Sequence, residues 1–277
     1  MITIPLFRYE DIDINYIKKG KGEPLVLLQG WATTLGGWTF QLPFFKRKMM
    51  VIALDNRGIG ESSRPNYPYT MDMFVDETKA LLDSLGVDQK INLCGISMGG
   101  MIALNFVIKY PEMVNTLILL STSSYYRREF GDPIAEKYRA IMQDLELEEG
   151  FKMKLDLMFS ETFIKRVNET KTLYDALFDL LMIKSASSST WQDLENRAAA
   201  IENHDTRESL KKINQPTLII HGSDDKYIPL EDAEFMKKNI SNSKLITLDG
   251  FGHGSVLIED TEKVNNLIWN FIQVHLD

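Results

Sequence analysis

The chain is poor in cysteine: Cys94 is the only one in 277 residues. An intrachain disulfide is therefore impossible, and no thiolate metal cluster can form. Cys94 closes an apolar run and reads as a small core residue. Basic excess is also missing. Lys+Arg number 31 against 39 Asp+Glu, a formal net charge of −8, so unselective nucleic-acid binding and attachment to anionic membranes are not expected. No apolar run approaches the roughly 20 residues that span a bilayer. The opening "MITIPLFRYEDIDINY" lacks a basic segment followed by a long apolar stretch, so it does not read as a signal peptide. The Asn168-Glu169-Thr170 sequon is then a chance match, and the expected location is cytoplasmic. Neither an H-E-x-x-H motif nor a cysteine pair is found, so neither a metal nor a cofactor is expected.

What is present is a strand–helix alternation. "ITIPLFRYE" and "INYIKKG", separated by Glu10-Asp11, read as an antiparallel pair. "PLVLLQG", "MMVIALDNRG", "INLCG", "MVNTLILLS", "PTLIIHG" and "KLITLDG" are short apolar runs stopped by glycine or a polar residue. Continuous runs, not alternating ones, predict parallel strands covered by helices on both faces. Helices are predicted from about Met71 to Leu85, with Gly86 as the stop, from about Leu230 to Asn239, and from about Asp260 to the end. Residues 125–212 break the rhythm: no convincing strand, apolar residues at helical spacing, and a Ser-rich loop at "SASSST". The expected organisation is an α/β core of residues 1–124 and 213–277, with a helical segment of residues 125–212 inserted after the sixth strand.

Within "INLCGISMGGMIALNFV" a strand signal passes into a helix signal at Gly95-Ile96-Ser97-Met98-Gly99. A serine at such a turn is lifted off the sheet, and the first N–H groups of the following helix lack partners and can meet a developing negative charge. A serine hydroxyl needs a base. Four histidines are available. His275 is close to the C-terminus and reads as solvated. His221 ends an apolar strand at the sheet edge of the core. His204 reads as a solvated loop residue where the inserted segment returns. His253, in the glycine-rich "LDGFGHGSV", is the best base, because glycine lets such a loop approach its neighbours closely. "GFGHGS" begins like a dinucleotide-binding turn, but Ser255 stands in place of the last glycine and no strand follows. "HGSDDKYIP" offers Asp224 and Asp225 as the acid, and the order Ser…Asp…His is that of the α/β-hydrolase arrangement.

These blocks, with "LVLLQGWATTLGGW" and "VIALDNRGIGESSRP", resemble the α/β-hydrolase fold superfamily over essentially the whole chain, in its capped esterase, enol-lactonase and cofactor-free haloperoxidase type. The resemblance implies an α/β-hydrolase fold with residues 125–212 as the helical cap. It makes Ser97 the nucleophile and His253 the base. Its G-x-x-D-x-x-x-P pattern selects Asp225, between Gly222 and Pro229, as the acid. It puts the oxyanion donors on the backbone N–H groups of Trp31 and Met98. One departure is Gln29-Gly30 where the family has His-Gly; glutamine can also hydrogen-bond backbone groups, so the oxyanion site is expected to survive. Asp55 is expected to brace its turn through Arg57 or backbone groups. A serine at this position argues against the dehalogenases and epoxide hydrolases of the fold, which use a carboxylate. The implied activity is hydrolysis of carboxylic esters or lactones of small, largely apolar substrates through an acyl-enzyme on Ser97. Perhydrolysis, C–C bond hydrolysis and a hydrolase-like ligand sensor are the alternatives. Met153, Met158, Phe159 and Met182 are expected to be mostly core between the inserted helices, with a minority lining an apolar pocket. Arg127 and Arg128 stand near the start of that segment.

Overall fold

The computed structural model describes residues 6–184 and 189–276. Residues 2–5 of the expected first strand and 185–188 of the Ser-rich stretch lie outside them. Strands β1 (Leu6–Tyr9), β2 (Ile12–Lys19), β3 (Pro24–Leu28), β4 (Met50–Leu54), β5 (Ile91–Ile96), β6 (Val114–Leu120), β7 (Thr217–Gly222) and β8 (Ser243–Leu248) form one sheet in the order β1-β2-β4-β3-β5-β6-β7-β8. β1–β2 and β2–β4 pair antiparallel, and the other neighbours pair parallel. Every residue of β3, β5 and β7 is buried, which is why these strands read as unbroken apolar runs. β8, at the edge, is only partly buried and more polar.

Alternate side chains of the strands face two separate cores. Val26, Leu28, Ile52, Leu93, Leu119 and Ile219 meet helices α2 (Met71–Ser84), α3 (Met98–Lys109) and α9 (Leu230–Asn239) through Phe74, Leu81, Ile102, Phe106 and Met236. Leu25, Leu27, Val51, Cys94, Ile118 and Ile220 meet α1 (Leu42–Phe45), α10 (Ser255–Ile258) and α11 (Thr261–Gln273). Cys94 is fully buried there, and desolvation pushes its thiol pKa well up, so it is inert packing. α2 starts as the sequence predicts, with the Thr70 hydroxyl accepting from Met73 N–H, and stops before Gly86 at φ 64°. That left-handed angle is why a glycine ends this helix.

Between β6 and β7 lie α4 (Arg128–Gln143), α5 (Leu147–Met158), α6 (Glu161–Glu169), α7 (Lys171–Phe178), a π-type extension over Asp179–Lys184, and α8 (Trp191–Glu202). Among the described residues here the only strand-like pairing is a single bridge from Tyr125 to Asp205. The helices share a third apolar cluster centred on Phe151, Leu155, Leu157, Phe159 and Phe163. They pack onto the sheet domain through Trp31, Tyr227 and Ile258. Thr190 and Asp193 form a reciprocal capping box that fixes the start of α8.

Two histidine expectations are corrected. His275 is half-buried, with its ring against Phe271 and Nδ1 bonded to the Phe271 carbonyl. His204 is buried, not solvated: Asn105 donates to its Nδ1 at 3.1 Å, and its Nε2 donates to Ser123 O at 3.2 Å. Burial brings its pKa down to about 4, against the smaller opposing pull of Ser123 and Asp205. The unfolded chain therefore takes up this proton as pH falls below about 6.5, while the folded chain resists until about 4. Stability contributed here is present above that window and falls as pH falls through it, by about 2–4 kcal/mol in total. His204→Gln keeps one donor and one acceptor but cannot titrate. Its unfolding temperature is expected to fall less than that of the wild type between neutral pH and pH near 4.5, and parallel curves would refute the assignment.

Candidate active site

The parallel strands end together. Leu28 of β3 lies opposite Gly95 of β5, Ile96 opposite Leu120 of β6, Leu120 opposite Ile220 of β7, and Gly222 opposite Leu248 of β8. The loops that follow these strands thus gather at one edge of the sheet, where α/β sheets present their ligand sites.

Ser97 stands between β5 and α3 with φ 54° and ψ −123°. Such an angle costs a non-glycine residue about 1–3 kcal/mol and persists only where its surroundings enforce it. Here they do. Ser97 N–H donates to Leu120 O at 3.0 Å. Its carbonyl accepts from Thr122 Oγ1 at 2.7 Å and from the α3 amides of Gly100 and Met101. A methyl group on Gly95 would overlap the Gly99 carbonyl, one on Gly99 the Leu28 carbonyl, and one on Gly100 the Thr122 side chain. The three glycines are therefore required by space.

The loop after β3 crosses beside this serine: a Cβ on Gly30 would lie 3.4 Å from Ser97 Cβ. Among the described residues, neither the Trp31 nor the Met98 amide has a hydrogen-bond partner. The residue that holds the loop is one sequence reasoning missed. Arg197, on α8 and fully buried, donates to Trp31 O at 2.7 Å, Arg57 O at 2.9 Å and Gly30 O at 3.1 Å. Trp31 Nε1 returns a hydrogen bond to Leu194 O at 2.8 Å. Burial lowers the Arg197 pKa to about 10, so it stays a cation at neutral pH. Nothing in "DLENRAAA" distinguishes it from an exposed helical arginine.

Gln29 does reach a backbone group, though only that of its own neighbour. Its Oε1 accepts from the adjacent Gly30 N–H at 3.3 Å, and among the described residues its buried Nε2 has no partner. Asp55 braces its turn through backbone groups, the second of the two expected routes: it accepts from Leu35 N–H (2.6 Å) and Glu61 N–H (3.1 Å), and also from Asn15 Nδ2 (2.7 Å). Arg57 is not its partner: that guanidinium is paired with the buried Glu77.

His253 follows β8. Its Nδ1 lies 2.8 Å from Asp225 Oδ2, whose side chain is fully buried. Asp225 Oδ1 accepts from the N–H groups of Tyr227 (2.8 Å) and Ile228 (3.0 Å). Burial alone would raise the Asp225 pKa, but the His253 ring beside it, the nearby His221 and the Ile228 N–H outweigh burial and hold it below the usual value. Asp224, by contrast, is exposed and accepts from Ser223 Oγ. Two neighbours of the pair were not anticipated. Tyr227 stacks on the imidazole, with centroids 4.5 Å apart and planes 13° from parallel. His221 is not at a sheet edge, since β7 lies between β6 and β8. It is buried, donates from Nε2 to Ile228 O at 2.9 Å and lies 3.5 Å from Asp225. The His253 loop is set by close backbone contact: Gly254 N–H donates to Met158 O at 2.8 Å, and a Cβ on Gly252 would press on that same carbonyl.

Ser97 and His253 line one cavity of about 270 Å³. Among the described residues no hydrogen bond joins their side chains, a contact that commonly tightens only when substrate binds. Trp31, Met101, Tyr138, Met158, Leu181 and Tyr227 make most of its wall apolar. Of the methionine and phenylalanine candidates in the inserted helices, Met158 faces the cavity, whereas Phe159 and Met182 are buried in the helical cluster. Arg127 faces the cavity but is paired with Asp232 at 3.0 Å. Among the described residues no group of acidic, histidine or cysteine side chains could hold a metal ion, and no helix is long and apolar enough to cross a membrane.

A serine on a strained strand-to-helix turn and a buried imidazole–carboxylate pair, set on the ends of a mostly parallel sheet, define a hydrolase of the α/β type. A family profile for the alpha/beta hydrolase fold matches residues 23–260, and the chain belongs to that family. It is 32% identical over 256 residues to the AB hydrolase superfamily protein YisY of Bacillus subtilis, covering 91% of this chain and 92% of that one. It is 28% identical to 3-oxoadipate enol-lactonase 2 of Acinetobacter baylyi, covering 89% and 91%. Among solved structures, a hydrolase from Pseudomonas aeruginosa superposes with a TM-score of 0.83 at 25% identity, over 98% of both chains.

Proposed function

We propose that this protein is a serine hydrolase that cleaves carboxylic esters or lactones through an acyl-enzyme on Ser97, with residues 125–212 acting as a helical cap over a core formed by 1–124 and 213–277. The observation that carries the reading is Ser97 itself, held at φ 54° beside the Trp31 and Met98 amides, which no group among the described residues engages, and in one cavity with His253, the partner of Asp225. In the reaction, Ser97 Oγ attacks the carbonyl while His253 Nε2 takes its proton. The amides of Trp31 and Met98 receive the oxyanion. His253 returns the proton to the leaving oxygen, and water then repeats the sequence to release the acid. Asp225 keeps the proton of the resting imidazole on Nδ1 and stabilises the imidazolium as it forms. The resemblance to an enol-lactonase supports lactones among the substrates.

The test is a fluorophosphonate probe followed by peptide mass mapping, beside a screen of p-nitrophenyl esters and lactones. Labelling at Ser97 with turnover is expected. Tight ligand binding with negligible turnover would point instead to a ligand sensor, and labelling elsewhere would overturn the assignment.

Arg197 supplies a second expectation. Its guanidinium turns the carbonyls of Gly30 and Trp31 toward α8, which leaves the Trp31 amide for the oxyanion. Arg197→Met leaves the Gly30, Trp31 and Arg57 carbonyls without this donor and frees the loop. A fall of roughly 10²–10³ in kcat is expected, the scale of losing one oxyanion donor, with a smaller change in KM. Arg197→Lys, with a single donor centre, should fall between. Unchanged kcat in a folded Arg197→Met protein would show that the loop holds its geometry alone.

A further inference from the structure

Lys154, on α5, lines the same cavity with Tyr138, Met158, Leu180 and Leu181. It is 6% exposed. Its ammonium carries three N–H groups; one reaches Leu181 O at 2.9 Å. The cation lies over the Tyr138 ring at 5.6 Å from the centroid. Among the described residues no carboxylate pairs with it. Burial lowers its pKa to about 8 with no opposing charge, so it remains mostly protonated at neutral pH. The other cationic heads near the cavity are answered: Arg127 by Asp232, and Arg197 by backbone carbonyls of the oxyanion loop. An unpaired buried ammonium is costly, and this one stands at the wall of a cavity that must accept a ligand.

We propose that the cavity takes an ester or lactone bearing a carboxylate, and that Lys154 receives that carboxylate while Ser97 attacks the reacting carbonyl. The proposal rests on the reading of Ser97 as an ester-cleaving nucleophile and names the substrate class. The ring sequence sets the arrangement. Tyr227 stacks on His253, Tyr138 packs edge-on against Tyr227, and Lys154 lies over Tyr138. The two polar ends of the substrate are thus separated by an apolar spacer that runs along aromatic faces.

The experiment compares p-nitrophenyl monoesters of dicarboxylic acids of increasing length with their methyl-capped counterparts, in the wild type, Lys154→Met and Lys154→Arg. The wild type is expected to prefer the free carboxylate at one chain length. Lys154→Met should lose roughly 10- to 100-fold in kcat/KM on that ester, the scale of a charge-assisted hydrogen bond, and change little on the capped one. Lys154→Arg should keep much of the preference, which a purely packing role would not require. No preference in the wild type, or equal losses on both esters, overturns the proposal, and the wild-type comparison stands even if Lys154→Met does not fold. If no ester is turned over, the hydrolase reading fails. Calorimetry of Ser97→Ala with monomethyl and dimethyl esters of the same acids then decides the point: selective binding of the monomethyl ester that disappears on adding Lys154→Met supports the anion site, and equal or absent binding overturns it.

Discussion

Ser97→Ala is expected to fold normally and to lose between about 10⁴ and 10⁶ of ester turnover, by the measure of other serine triads. The amides of Trp31 and Met98 and the His253–Asp225 pair all survive the change, so the loss isolates the attacking oxygen. The backbone makes a companion variant informative. Alanine at φ 54° bears the same strain as serine, whereas glycine does not. Ser97→Gly should be equally inactive yet about 1 kcal/mol more stable than Ser97→Ala. Rates on one good ester and the two unfolding temperatures check both statements. A folded Ser97→Ala protein with retained activity would remove the serine mechanism altogether.

The second large effect separates two adjacent aspartates. Asp225→Asn keeps the size of the side chain but replaces an acceptor-only group with one that can donate to Nδ1. The imidazole is then held in the wrong tautomer, and loss of roughly 10⁴ in kcat is expected, as in a comparable triad. Tyr227 and Ile228 N–H would still find the amide oxygen, so the loop should keep its shape. Asp224→Asn is expected to cost less than about tenfold, because an exposed side chain bonded to Ser223 changes little when its charge is removed. The reverse order would move the functional carboxylate by one residue.

Much of this architecture is legible in the chain because it depends on local rules. Buried parallel strands read as continuous apolar runs, and Gly86 marks a helix end by its left-handed angle. Ser97 is flagged by glycines that have no room for a side chain. What stayed hidden depends on long-range packing. Arg197 is 166 residues from the Trp31 carbonyl it holds, and no spacing rule links the two. His204 looks polar and loop-bound in sequence; in the fold its ring is held between Asn105 and the Ser123 carbonyl. Gln29 reaches no further than the adjacent Gly30 N–H, and a guanidinium from another element holds the loop. Met158 and Phe159 are neighbours in sequence, but only the fold decides which one faces the cavity.

The fastening of α8 to the loop after β3 bears on how such a protein can be recombined with its relatives. α4 to α7 furnish wall without holding the Gly30–Trp31 carbonyls, so that stretch can be exchanged as a cassette to change which acyl chains fit, provided the graft returns a backbone carbonyl where that of Met158 meets the Gly254 N–H of the His253 loop. α8 cannot travel with it. A chimera whose crossover falls before Trp191 retains Arg197 and its three carbonyl bonds. One whose crossover falls after Glu202 imports a foreign helix against a loop that was shaped by this one. Grafts of the first kind should remain active with altered selectivity, and grafts of the second kind should lose turnover even on the smallest ester.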